Sequence, residues 1–187
     1  MHTSLDGFVA GPKGEMDWIN VDDEIFDFAG RRTNASDTAL YGRVTYDMMQ
    51  SYWPTAGNQP NASRHDIEHS EWYNKVAKVV ISRSLQGKNL HNTTIIASEL
   101  RTKITEIKKL NGKDILMFGS PGAAHSLMQL DLIDEYWQFV NPFLLGQGIP
   151  LFKNISQTQK LNLVSTHAFL CGVVCLNYVR NRAEAQK

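Results

Sequence analysis

Cysteine is scarce in this chain: its 187 residues hold two, Cys171 and Cys175. Read as parts of one extended segment, they stand roughly 13 Å apart at about 3.3 Å per residue. A disulfide needs Cα atoms within about 7 Å, so the two do not bridge each other in a straight strand. Two reduced thiols fit a cytoplasmic protein. No Cys or His pair has ligand spacing, so no metal site is expected. Charge of one sign is lacking too. Nineteen basic and nineteen acidic side chains cancel to a net charge of +0. That removes the basic excess that nucleic acid or an anionic membrane would select, and any anion recognition must be local. No apolar run approaches the roughly 20 residues that span a bilayer. The start lacks the basic-then-apolar order of a secretion signal. Repeats, low-complexity tracts and an interdomain linker are also missing, so residues 1–187 read as one domain.

What is present suits a globular core, with 42% hydrophobic and 20% charged residues. Residues 3–6 read as the end of a strand, and Asp6-Gly7 as a turn leading into Phe8-Val9-Ala10. A loop with Gly11, Pro12 and Gly14 precedes Met16-Asp17-Trp18. Residues 23–32 form a helical pattern with Ile25, Phe28 and Ala29 on one face. A strand at 38–41 breaks at Gly42 into a helix over 43–51. Residues 53–61, rich in Pro, Asn and Gly, read as a surface loop. Met48, Met49 and Trp53 read as core or pocket-mouth residues, and the six scattered histidines as surface or hydrogen-bonded.

A helix over 66–74 and strands over 77–82 and 93–97 follow. Ser98 is placed to cap a helix carrying Leu100, Ile104, Ile107 and Leu110 at helical spacing, with Gly112 ending it. A strand at 115–118 leads to Ser120 as cap and Pro121 as first residue of a helix reaching 130. A strand at 136–140 and a hairpin of 161–168 with 172–180 complete the chain. The implied class is α/β: a mostly parallel sheet, helices on both faces, and an antiparallel C-terminal hairpin.

Three strand ends carry phosphate-binding chemistry. In Tyr41-Gly42-Arg43-Val44-Thr45, the glycine admits close approach and the helix start offers free N–H groups. The plain alternative is a glycine turn beside a solvated arginine. In Ser82-Arg83-Ser84, a guanidinium fork between two hydroxyls suits a phosphate monoester; the alternative is a polar loop. In Gly119-Ser120-Pro121-Gly122-Ala123, small residues at a helix start leave amides open to a pyrophosphate. It is not the G-x-G-x-x-G fingerprint, and tight helix–sheet packing is its alternative.

Taken in this order, these motifs resemble those of the dihydrofolate-reductase-like superfamily, together with the Thr3-Ser4-Leu5-Asp6-Gly7-Phe8-Val9-Ala10 start. More closely they resemble the reductase domain of the bacterial bifunctional riboflavin-biosynthesis deaminase-reductase and its stand-alone relatives. The late residues Leu132-Ile133-Asp134-Glu135-Tyr136, Pro142, Leu145-Gly146-Gln147-Gly148 and Pro150-Leu151-Phe152 match that branch. The resemblance covers essentially the whole chain. It implies NADPH as cofactor, with Gly42, Arg43, Thr45, Gly119, Ser120, Gly122 and Ala123 at the pyrophosphate. Ser82, Arg83 and Ser84 would hold the 2′-phosphate, and Val9 and Ala10 would lie along the nicotinamide. Met16-Asp17-Trp18 resembles the mobile loop over it, so Asp17 and Trp18, with Phe28, are substrate candidates. Relatives begin with a longer first strand, so that strand is expected to be truncated here. The deaminase signature H-x-E with P-C-x-x-C is missing.

The proton donor is the least defined part. Dihydrofolate reductases keep a carboxylate on the first helix one turn before an aromatic residue, and Glu24 with Phe28 has that spacing. Asp27 is the second candidate, and Asp22 and Asp23 compete; first-turn carboxylates also simply favour a helix N-terminus. The expected activity is NADPH-dependent reduction of a small heterocyclic or ribosylated substrate by a homodimer. The alternatives are a nucleotide-binding or regulatory protein of the same fold without turnover, and a dihydrofolate reductase.

Overall fold

The computed structural model describes residues 1–182. In chain order it begins with β1 (His2–Thr3), β2 (Phe8–Ala10), α1 (Asp23–Asn34) and β3 (Ser36–Gly42). Then come α2 (Arg43–Ala56), α3 (Arg64–Lys75), β4 (Ala77–Ile81), β5 (Thr93–Ile96) and α4 (Leu100–Lys108). The rest is β6 (Asp114–Met117), α5 (Pro121–Gln129), β7 (Glu135–Val140), β8 (Ile149–Pro150), β9 (Leu161–Ala168) and β10 (Val174–Arg180). The fold is α/β, with parallel strands and helices. It divides into two compact units, Asp23–Ala123 and Met1–Asp22 with Ala124–Lys187, the boundary falling within α5.

The middle unit holds a four-stranded sheet in the order β5-β4-β3-β6, parallel at every pairing. Val79, Val80, Ala39, Leu40 and Tyr41 are buried, as the near-continuous apolar runs of strands covered on both faces require. α2 buries Tyr46, Met49 and Ala56 at helical spacing, and Trp53 packs against the core that Tyr46 and Met49 form with Tyr73 and Val80. That packing explains a departure from the expected surface loop at 53–61. The helix continues through Pro54 to Ala56, because burying this face offsets the hydrogen bond that proline cannot donate. Met48, by contrast, is 47% exposed.

Two expected caps differ. α4 begins on Glu99 in the left-handed region at φ 54°, whose carbonyl accepts from Lys103 N–H at 3.0 Å, so Ser98 is not its cap. Ser120 is also left-handed, at φ 59°. Its hydroxyl accepts the Gly42 amide at 2.9 Å rather than an amide of its own helix. By contrast α3 has a full capping box, with Ser63 and Asp66 satisfying each other's backbone.

The other unit is mainly antiparallel: β10 lies between β7 and β9, while β1 runs parallel to β7. The early and late family-like motifs meet in this unit. The Asp6 carboxylate accepts from the Gly146 and Leu145 amides at 2.7 and 3.2 Å and from the Ser4 hydroxyl at 2.6 Å. These bonds, the Ser4 one first, hold its carboxyl below the usual range. β2 pairs with β8, and a Cβ on Gly148 would run into the Ala10 carbonyl oxygen, so this approach admits glycine alone. Buried Asn141 collects the Asn20 amide and donates to the Thr3 and Phe139 carbonyls. Cys171 lies in the turn before β10 rather than in the strand with buried Cys175, and neither is in a disulfide. No helix among the described residues is long and apolar enough to cross a membrane.

Candidate functional site

Parallel strands end together, and three of the singled-out motifs sit on the ends of three neighbours. Register pairs Gly42 with Ile81 and Leu40 with Met117. Ser82 therefore follows directly beside Gly42, and Phe118-Gly119 continues alongside Tyr41-Gly42. Strand order turns between β3 and β6: the chain goes from β3 outward through β4 to β5, then returns to β6 on the other flank. Ligands of open parallel sheets bind outside the carboxyl ends of strands at such a turn.

The pyrophosphate candidates come together here. Gly42 is the N-cap of α2 in extended conformation, with no side-chain cap, so the first amides of α2 lack a capping acceptor. A Cβ at Gly42 would lie 3.5 Å from that of Ala123, and one at Gly119 would lie 3.5 Å from the Thr45 methyl. Gly119 and Ser120 are consecutive left-handed residues, at φ 53° and 59°, and bend the chain sharply before α5. Space around Gly122 is open to 4 Å. Arg43 is engaged with Asp47 in an exposed pair at 2.8 Å, a contact that a phosphate can displace at small cost.

At the end of β4 the hydroxyls of Ser82 and Ser84 lie 3.2 Å apart. Ser82 is buried, and its oxygen accepts the Leu85 amide at 3.3 Å. Arg83 between them is exposed and has no ion-pair partner among the described residues. Charge, hydroxyls and free amides thus gather on one rim. Such a donor set fits the phosphates of a dinucleotide.

The α1 candidates stand in different surroundings. Asp27 is ion-paired with Arg64 of α3. Glu24 is exposed, and Phe28 lies under the Arg31 guanidinium at 4.9 Å. α1 and α3 enclose a cleft of about 160 Å³. In it His65 stacks on Phe26 at 3.9 Å, and His69 lies 4.0 Å from Trp53 and 5.8 Å from Phe118. Burial pushes His69 down to about 3. This histidine–aromatic cluster, unremarked in the sequence, had one signal there: His65, His69 and Trp72 recur at helical spacing. In the other unit Val9 and Ala10 are buried on β2. Asp17 is exposed, and Trp18 donates its indole N–H to the Glu15 carbonyl at 3.1 Å.

Comparison with known proteins fits this arrangement. The chain is 32% identical over 179 residues to the uncharacterized protein YyaP of Bacillus subtilis (strain 168), covering 94% of this chain and 89% of that one. A structure from Shewanella sp. PV-4, linked by name to riboflavin biosynthesis, superposes with a TM-score of 0.72 at 22% identity, covering 97% of both chains. Dihydrofolate reductase from Enterococcus faecalis, complexed with NADP(H), gives a TM-score of 0.63 at 15% identity, covering 96% of this chain and 93% of that one. The RibD C-terminal domain model matches residues 1–175, and this chain belongs to that family.

Proposed function

We propose that the protein is an NADPH-dependent reductase of small heterocyclic or ribosylated substrates, akin to the reductase half of riboflavin biosynthesis. The observation that carries this reading is the common rim formed by the ends of β3, β4 and β6. There Gly42, Arg43 and Thr45, with Gly119, Ser120, Gly122 and Ala123, take the pyrophosphate. Ser82, Arg83 and Ser84 take the 2′-phosphate. Bound there, the cofactor supplies the hydride. Val9 and Ala10 are assigned to the nicotinamide, and Asp17, Trp18 and Phe28 to the substrate. Glu24, one turn before Phe28, is assigned to proton delivery, with Asp27, ion-paired with Arg64, as the second candidate.

Two further assignments belong to the reading. The reduced thiols of Cys171 and Cys175 support a reducing, cytoplasmic setting. The outer strand β9 exposes Leu163 at 54% and Val164 at 59%, which supports a homodimer that covers this edge. Light scattering should give twice the chain mass of 21.1 kDa at micromolar concentration. A monomer mass would overturn the dimer.

The test of activity follows NADPH absorbance with dihydrofolate and with the deaminated ribosylaminopyrimidine at equal concentration. The second substrate should turn over well and dihydrofolate hardly at all. A dihydrofolate rate within about tenfold, or 1.4 kcal/mol of barrier, would reverse the assignment. NADPH binding without oxidation by either would favour a nucleotide-binding protein.

A further inference from the structure

We propose that a second cleft, beside Lys78 at the far end of β4 from the phosphate rim, binds a small ring-bearing carboxylate. Lys78 is a charged residue on a central strand and only 5% exposed. Its ammonium donates to the Tyr73 and Val76 carbonyls at 2.6 and 3.2 Å and lies 4.5 Å above the Tyr73 ring. Those carbonyls belong to the last turn and C-cap of α3. A helix C-terminus supplies roughly half an elementary negative charge, so the cation is only partly compensated. Burial pushes the ammonium below the usual lysine range. A buried cation that meets only neutral groups gains most from an anion that reaches it.

The cleft can admit one. It has a volume of about 250 Å³, and Lys78 lines it with Tyr46, Gln50, Tyr73, Asn74 and His91. No carboxylate is among its walls. Where the α1–α3 cleft brings Asp27 and Glu68 to its arginine, this one offers a cation and neutral donors alone. The two tyrosine rings and Leu90 give an apolar body, suited to a ring. The amides of Gln50 and Asn74 and the His91 ring can donate to carboxylate oxygens. Its size is below the roughly 300–1,000 Å³ of drug-sized clefts, which selects a single-ring or short-chain acid. Lys78 and Ser82 stand roughly 13 Å apart along the strand, so this site is independent of the cofactor reading.

Isothermal titration of the full chain with benzoate and its uncharged analogue benzamide tests the proposal. Benzoate should bind at about millimolar Kd, and benzamide about tenfold more weakly or worse. Lys78→Met keeps the unbranched stem without the ammonium and should bring benzoate down to the benzamide level, with circular dichroism confirming the fold. Should that variant lose α3 with its cap, Asn74→Trp decides. It fills the mouth from an exposed position, leaves the ammonium in place, and should abolish binding of both probes. Arg83→Ala should bind benzoate as the unaltered protein does, which separates this site from the phosphate rim. Equal affinity for the two probes, or no heat from benzoate up to roughly 10 mM, would overturn the proposal. So would benzoate binding that persists in Asn74→Trp or in folded Lys78→Met, or that vanishes in Arg83→Ala.

Discussion

The rim at the ends of β3, β4 and β6 and the cleft between α1 and α3 belong to one unit and use similar side chains, yet their charges are handled in opposite ways. On the rim, Arg83 has no ion-pair partner among the described residues, and the α2 N-terminus lacks a side-chain cap. In the cleft, Arg64 meets Asp27 and lies 4.0 Å from Glu68, and burial holds His69 neutral near pH 7. A fold leaves strong donors unmatched where a ligand completes them, because an exposed guanidinium loses little while it waits in water. In the α1–α3 cleft the arginine is instead held in exposed ion pairs, which contribute little but occupy its charge. The pairing state of Arg83 and Arg64 therefore separates the proposed binding rim from the α1–α3 cleft better than residue type does.

Removing the unmatched charge gives the largest expected effect. A charge-assisted contact to the 2′-phosphate contributes roughly 1.5–3 kcal/mol, or about 10- to 100-fold in affinity. Arg83→Ala should weaken NADPH binding by that factor and leave NADH nearly unchanged, as measured by fluorescence titration of both nucleotides. Arg64→Ala in the cleft should alter neither preference. If Arg83→Ala weakened both nucleotides equally, the rim would not be reading the 2′-phosphate.

The glycine-rich turn sharpens the contrast between geometry and recognition. Gly119 has φ 53° and lies against Thr45, whereas Gly122 lies in the first turn of α5 with nothing within 4 Å of an added Cβ. Gly119→Val forces a β-branched residue into the left-handed region, at a cost of about 1–3 kcal/mol in stability. Gly122→Val should melt within a few degrees of the unaltered protein yet lose NADPH affinity, because its side chain occupies the approach to the amides. Thermal melts paired with titrations distinguish the two. Equal destabilisation by both would return this turn to a packing role.

The rim was legible in the sequence because each of its motifs is local. Glycine next to a helix start and serine-arginine-serine at a strand end declare their chemistry within a few residues. The parallel register then brings them together. What stayed hidden depends on distant partners. Asp27 could not be read as an ion-pair member while Arg64, 37 residues later, lay in an unplaced segment. Ser120 had the composition of a helix cap, but its hydroxyl serves Gly42 across 78 residues. The length of α2 was concealed by Pro54, whose local signal is overridden by burial of Met49 and Ala56 and by packing of Trp53 against the core and against His65 and His69 of α3. Lys78 looked like an ordinary strand residue, since only the return of the α3 C-terminus makes it a buried cation.

The smallest expected effect concerns the histidine of the packed cleft. Burial lowers His69 from its ordinary value to about 3, and the nearby His65 lowers it further, while Asp66 acts the other way. The unfolded chain takes up its proton near 6.5. Between those two values the unfolded state binds more protons than the folded one, so stability rises with pH. His69 therefore contributes fully above about pH 6.5, and its contribution is lost progressively as pH falls toward 3. The slope is at most about 1.4 kcal/mol per pH unit for this one group. His2, in the other unit, is lowered to about 3 by burial and by the N-terminal ammonium, and adds a slope of its own that His69 variants leave intact. His69→Phe keeps an aromatic ring among Trp53, Trp72 and Phe118 but cannot take a proton. Urea denaturation at pH 7 and pH 5.5 should show the unaltered protein losing up to roughly 1 kcal/mol more than His69→Phe over that interval. An equal pH slope in the two proteins would mean that His69 is not held neutral by its cleft.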